Sequence, residues 1–188
     1  SLAKQGYQSG LEPYRDLVAV KAPVFSMSKL IGVDTFLGPE MKSTGEVMGV
    51  DHNFESALHK AAIAADLAVP PGTPFLLSLS DRTKSESVPL IRALYDAGSP
   101  LFATEGTASL IRDLGLPVHF VTKLLSEGSP NVVDVINEGT VRAVINTIEG
   151  GRASHLRDGF HIRRAATEMR IPCFTSLDTA RASIQALI

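Results

Sequence analysis

The chain contains no tryptophan and one cysteine, and aromatic residues make up only 6% of its 188 positions. With Cys173 alone, no intramolecular disulfide can form, and the composition fits a reducing cytoplasm. No apolar run approaches the ~20 residues needed to cross a bilayer, so no membrane partner is expected. Eighteen Lys and Arg against twenty Asp and Glu leave a net charge of −2. That balance lacks the basic excess through which nucleic acid is held. The five histidines include no pair at metal-ligand spacing on a helix face, and Cys173 has no thiol partner, so no metal site is expected. No nucleophile-elbow pattern occurs, and no catalytic residue is assigned. Residues 1–6 show neither an initiator methionine nor a signal-peptide profile, so the chain reads as part of something longer.

What is present is a good core composition, with 44% hydrophobic residues. The first fifty residues are the least regular. Residues 16–22 alternate as a strand should, and residues 24–27 form a second candidate. Residues 38–49 are rich in Gly, Ser and Glu and read as a loop. Apolar side chains here are too few to close a core alone. A helix is expected over residues 53–68, capped by Asn53, with Phe54, Leu58, Ala61, Ala62 and Ala65 on its packed face. Pro70-Pro71-Gly72 then breaks the chain, which divides it into residues 1–69 and 70–188.

After the break the pattern becomes periodic. Short apolar runs at residues 75–79, 101–103, 118–121, 141–146 and 171–175 alternate with helical spacing. The helices are marked by Val88, Ile91, Leu94 and Tyr95; by Leu110, Ile111 and Leu114; by Val132, Val135 and Ile136; by Ile162, Ala166 and Met169; and by Ile184 and Leu187. This predicts an α/β fold, a five-stranded parallel sheet with helices on both faces. In such sheets ligands sit beyond the carboxyl ends of the strands, where the strand order switches.

Sorting residues by that rule collects a candidate site. The turn Thr104-Glu105-Gly106-Thr107 joins the second strand to its helix. Gly106 permits a close approach, the helix start favours an anion, and Thr104 and Thr107 can donate to phosphate oxygens. Helix capping by Thr107 is the plainer alternative. The other strand ends add Ser78 and Lys84, then Lys123, then Asn146 and Thr147. Two lysines, a helix start and several hydroxyls suit a phosphate group, and the Asn amide suits a base or sugar edge. Asp81 and Glu105 lie at the same rim, where capping is the commoner role for such residues.

At Ala103-Thr104-Glu105-Gly106-Thr107-Ala108 and Val144-Ile145-Asn146-Thr147 the second part resembles the methylglyoxal-synthase-like domain family. The first part is similar, through Gly32-Val33-Asp34 and residues 37–49, to the end of the second ATP-grasp unit of carbamoyl phosphate synthetase large chains. The resemblance implies a Rossmann-like three-layer allosteric domain preceded by an ATP-grasp remnant. It implies a regulatory role in carbamoyl phosphate synthesis for pyrimidines and arginine. It also implies a nucleotide effector of the UMP or IMP type, with its phosphate at the threonine turn. Ser78, Lys84, Thr104, Gly106, Thr107, Lys123, Asn146 and Thr147 would hold that effector. The expected partners are the rest of the large chain and the glutaminase small chain. ATP and Mg or Mn would serve the intact enzyme, with no cofactor in this stretch.

Two readings stand beside it. A methylglyoxal-synthase-type lyase would need carboxylates after the third and fourth strands, where residues 127–130 and 148–150 read Glu-Gly-Ser-Pro and Ile-Glu-Gly. An interaction domain with a vestigial pocket is suggested by Ile148 and Glu149, which replace a polar Thr-Ser pair of bacterial members.

Overall fold

The computed structural model describes residues 2–8, 10–11, 14–29, 34–35, 37, 39–123, 129–148 and 153–185. Its larger unit starts where the periodic pattern does. Strands β3 (Phe75–Ser78), β4 (Leu101–Ala103), β5 (His119–Phe120), β6 (Ala143–Asn146) and β7 (Cys173–Phe174) form one parallel sheet in the order β5-β4-β3-β6-β7. The central strands β3 and β6 are buried at every position, as double-sided coverage demands. Successive side chains alternate between faces. Phe75 and Leu77 join a core with helices α2 (Asp81–Asp96), α3 (Glu105–Asp113) and α6 (Leu177–Gln185). Leu76 and Val144 join a second core on the opposite face with α4 (Val132–Asn137) and α5 (Ala153–Glu168).

Several boundaries differ from the sequence reading. The strands are shorter, with β5 and β7 only two residues each. Met169 and Tyr95, read as marking packed helix faces, are exposed. Gly98, Gly115 and Gly139, each with positive φ, follow the ends of α2, α3 and α4.

The first part departs most. Residues 45–49, read as loop, belong to strand β2 (Gly45–Asp51), antiparallel to β1 (Val18–Val24). Residues 24–27 are no second strand: Val24 ends β1, and Met27–Lys29 is a 3-10 turn. The helix is α1 (Phe54–Ala64), capped by Asn53, whose side chain accepts from the Ser56 amide at 2.8 Å. Its packed face is Ala57, Ala61 and Ala62, while Phe54 points outward. The reason is close approach. A Cβ on Gly49 would collide with the Ala57 carbonyl and lie 2.5 Å from the Ala61 amide nitrogen, so helix and strand pack backbone to backbone. Gly32 and Val33, part of the ATP-grasp resemblance, lie outside the described residues.

Candidate functional site

The strand order reverses direction between β3 and β6, and there the chain opens a cleft of about 440 Å³. Ser78 pairs in register with Asn146 at its floor. All eight residues selected from the sequence line this cleft: Ser78, Lys84, Thr104, Gly106, Thr107, Lys123, Asn146 and Thr147. Its volume is within the usual range for small-molecule sites, roughly 300–1,000 Å³.

Two helices aim their first turns at it. Ser80 and Thr104 hold the N-cap positions of α2 and α3, yet neither side chain bonds its helix's amides. The Ser80 hydroxyl instead lies 3.1 Å from Thr83 Oγ1, and the Thr104 hydroxyl donates to Ser78 Oγ at 3.4 Å. By contrast, Asn53 caps α1 and Asn131 closes a full capping box on α4. The opening N–H groups of α2 and α3 lack side-chain caps, where partial positive charge accumulates.

The buried threonines build the wall. Thr107 is 1% exposed and accepts from the Leu79 amide at 3.0 Å, which ties α3 to the loop after β3. It sits within the first turn and does not cap the helix. Because its oxygen accepts, its own proton is left to donate. Thr147 accepts from the Ser80 amide at 2.8 Å and lies 2.8 Å from Thr83 Oγ1. These hydroxyls first hold the β3–α2 loop in shape.

Charge is supplied by Lys84 and Lys123. Lys84 Nζ lies 2.5 Å from Asp81 Oδ1, on an exposed carboxylate. The ammonium also sits over the start of α3, where a Cβ on Gly106 would come within 2.7 Å of Nζ. A side chain at Gly106 would push the Lys84 ammonium from this position.

Of the lining residues that the sequence reading did not select, Arg163 matters most. Arg163 on α5 is fully buried and donates from Nη1 to Asn146 Oδ1 at 2.8 Å. Nothing local in residues 159–167 marks it as inward-facing. Gly159 signals the contact indirectly, since a Cβ there would collide with the Arg163 guanidinium and stand 2.9 Å from Asn146 Oδ1. Beside Arg163, burial pushes the half-buried Cys173 thiol up to about 12; the Arg163 charge lowers it and the Asp34 charge raises it. Ile148 also lines the cleft, whereas Glu127, Gly128, Glu149 and Gly150 lie outside the described residues. Among the described residues no group of three His, Cys, Asp or Glu side chains is placed to hold a metal, and no helix is long and apolar enough to cross a membrane.

Residues 86–175 match the family model described as the MGS-like domain, which spans β4 to β7 and most of α2. These residues form an MGS-like domain. Over its full 188 residues the chain is 57% identical to the carbamoyl phosphate synthase large chain of Thermomicrobium roseum. The chain spans 17% of that relative's length. A solved methylglyoxal synthase from Elizabethkingia anophelis is 18% identical, with a TM-score of 0.44 over 60% of this chain and 77% of that one. The cleft is therefore largely a feature of the MGS-like domain, with Ser78, Leu79, Ser80, Asp81 and Lys84 contributed from just before the matched residues.

Proposed function

We propose that the chain is a regulatory module of a carbamoyl phosphate synthase large chain, and that its cleft binds a nucleoside monophosphate by the phosphate. The observation that carries this reading is the pair of helix starts without side-chain caps, α2 and α3, converging with Lys84 and Lys123 on one cleft. Backbone N–H groups, helix dipoles and ammonium groups together favour a compact dianion. The buried Asn146 amide at the floor then meets a sugar or base edge. In the cytoplasmic, ATP- and magnesium-using enzyme this implies, the module adjusts carbamoyl phosphate synthesis for pyrimidines and arginine. Residues 1–69 continue the preceding ATP-grasp unit, and the partners are the remainder of the large chain and the glutaminase small chain. The module itself performs no chemistry.

Calorimetry with UMP, IMP and inorganic phosphate tests the site. Lys123→Ala and Lys84→Ala are each expected to weaken binding about tenfold or more, in keeping with the ~1.5–3 kcal/mol of a hydrogen bond to a charged group. Thr107→Ala is a poorer probe, because it orphans the buried Leu79 amide; Thr107→Ser keeps that bond. Equal affinity in both lysine variants would reject the site. Turnover of dihydroxyacetone phosphate to methylglyoxal by the purified chain would reject the regulatory reading.

A further inference from the structure

Arg163 is the largest fully buried side chain among the described residues. A guanidinium removed from water needs an opposite charge and acceptors in good geometry. Arg163 finds them outside the sheet. Its Nε donates to Asp34 Oδ1 at 2.7 Å and its Nη2 to Asp34 Oδ2 at 2.5 Å, a two-pronged contact between residues 129 positions apart. Its Nη1 turns the other way, to Asn146 Oδ1. A guanidinium can only donate, so it decides which end of the Asn146 amide faces it. Nδ2 is thereby directed across the sheet, where it donates to the Ser78 carbonyl at 3.3 Å. The cleft floor is therefore oriented by a carboxylate that does not line the cleft. Asp34 belongs to the first part of the chain, and the nearby 3-10 turn Met27–Lys29 also packs against α5. Gly159 leaves the space in which the guanidinium and the amide meet.

We propose that Asp34 is a positioning residue of the cleft: acting through Arg163, it fixes the Asn146 amide, so that occupancy of the cleft and seating of Asp34 against α5 are linked. Linkage is reciprocal, so a ligand that uses the oriented amide also tightens the Asp34 contact. The ligand half of this statement rests on the nucleoside monophosphate reading; the positioning half does not.

The test uses the full chain. Asp34→Asn strands a buried charge and can unfold the protein. The double variant Asp34→Leu/Arg163→Met removes both charges while keeping apolar volume, a replacement that buried ion pairs often tolerate. Two readouts are taken: exchange of the Asn146 side-chain amide protons by NMR without ligand, and UMP affinity by calorimetry. The expected result is at least tenfold faster amide exchange and about tenfold weaker UMP binding, with a near-native melting temperature. Native amide protection in the folded double variant overturns positioning. Faster exchange with unchanged UMP affinity overturns the linkage. If the parent chain binds neither UMP nor phosphate, the cleft reading and its linkage fall, and amide exchange alone decides the positioning claim. Should the double variant not fold, Asp34→Glu, which keeps the charge but displaces the fork by one methylene, carries the same readouts.

Discussion

Lys84 holds its ammonium at the positive end of α3, an unfavourable place that Asp81 relieves at 2.5 Å. An incoming phosphate must compete with that carboxylate. Asp81→Asn is therefore expected to strengthen phosphate and UMP binding several-fold; titration calorimetry at low and moderate salt checks this, and unchanged or weaker binding contradicts it. Cys173 offers a second residue-scale test. A thiol at about 12 is ionised at pH 8 in roughly one molecule in 10⁴, against about one in ten for an ordinary thiol. Iodoacetamide should label it at least about a hundredfold more slowly in the native chain than in urea, read by mass spectrometry. Its folded value lies above the unfolded one. The stability it contributes is thus complete below pH 9.0 and is lost as the pH rises toward about 12. The hydroxyls and lysines of the cleft were legible as residue types at strand ends. Arg163 was not, because its partner Asp34 is remote in sequence and no local pattern marks a charged side chain as inward-facing.

At the scale of elements, β3, β4 and β6 announce themselves as apolar runs too short for helices, and each is followed by turn-forming or polar residues. Strand β2 does not. It carries Gly45 and Gly49, residues that weaken a strand, yet it pairs along its length with β1 and is covered by the alanines of α1. Loop composition and close-packing composition look alike in sequence. Gly49→Ala separates the two. The added methyl meets backbone on α1, and the expected cost is about 1–3 kcal/mol, typical of overpacking. Urea denaturation measures it, and faster hydrogen exchange in α1 locates it. A negligible change would mean that α1 does not pack on β2 as described.

For the whole molecule, the parallel run of the strands did most to make the site predictable. Once the sheet is parallel, residues far apart in sequence share one rim by topology alone. A ligand confined to that rim stabilises the native state by mass action. UMP at a hundredfold excess over its dissociation constant should add about 2.7 kcal/mol, seen as a raised melting temperature; a tenfold loss of affinity in Lys123→Ala would cut that gain to about 1.4 kcal/mol. The same topology places β5 and β7 at the sheet's two borders, each with only two paired residues. Borders this short offer a foreign strand little backbone to pair with, the usual guard against edge-to-edge association.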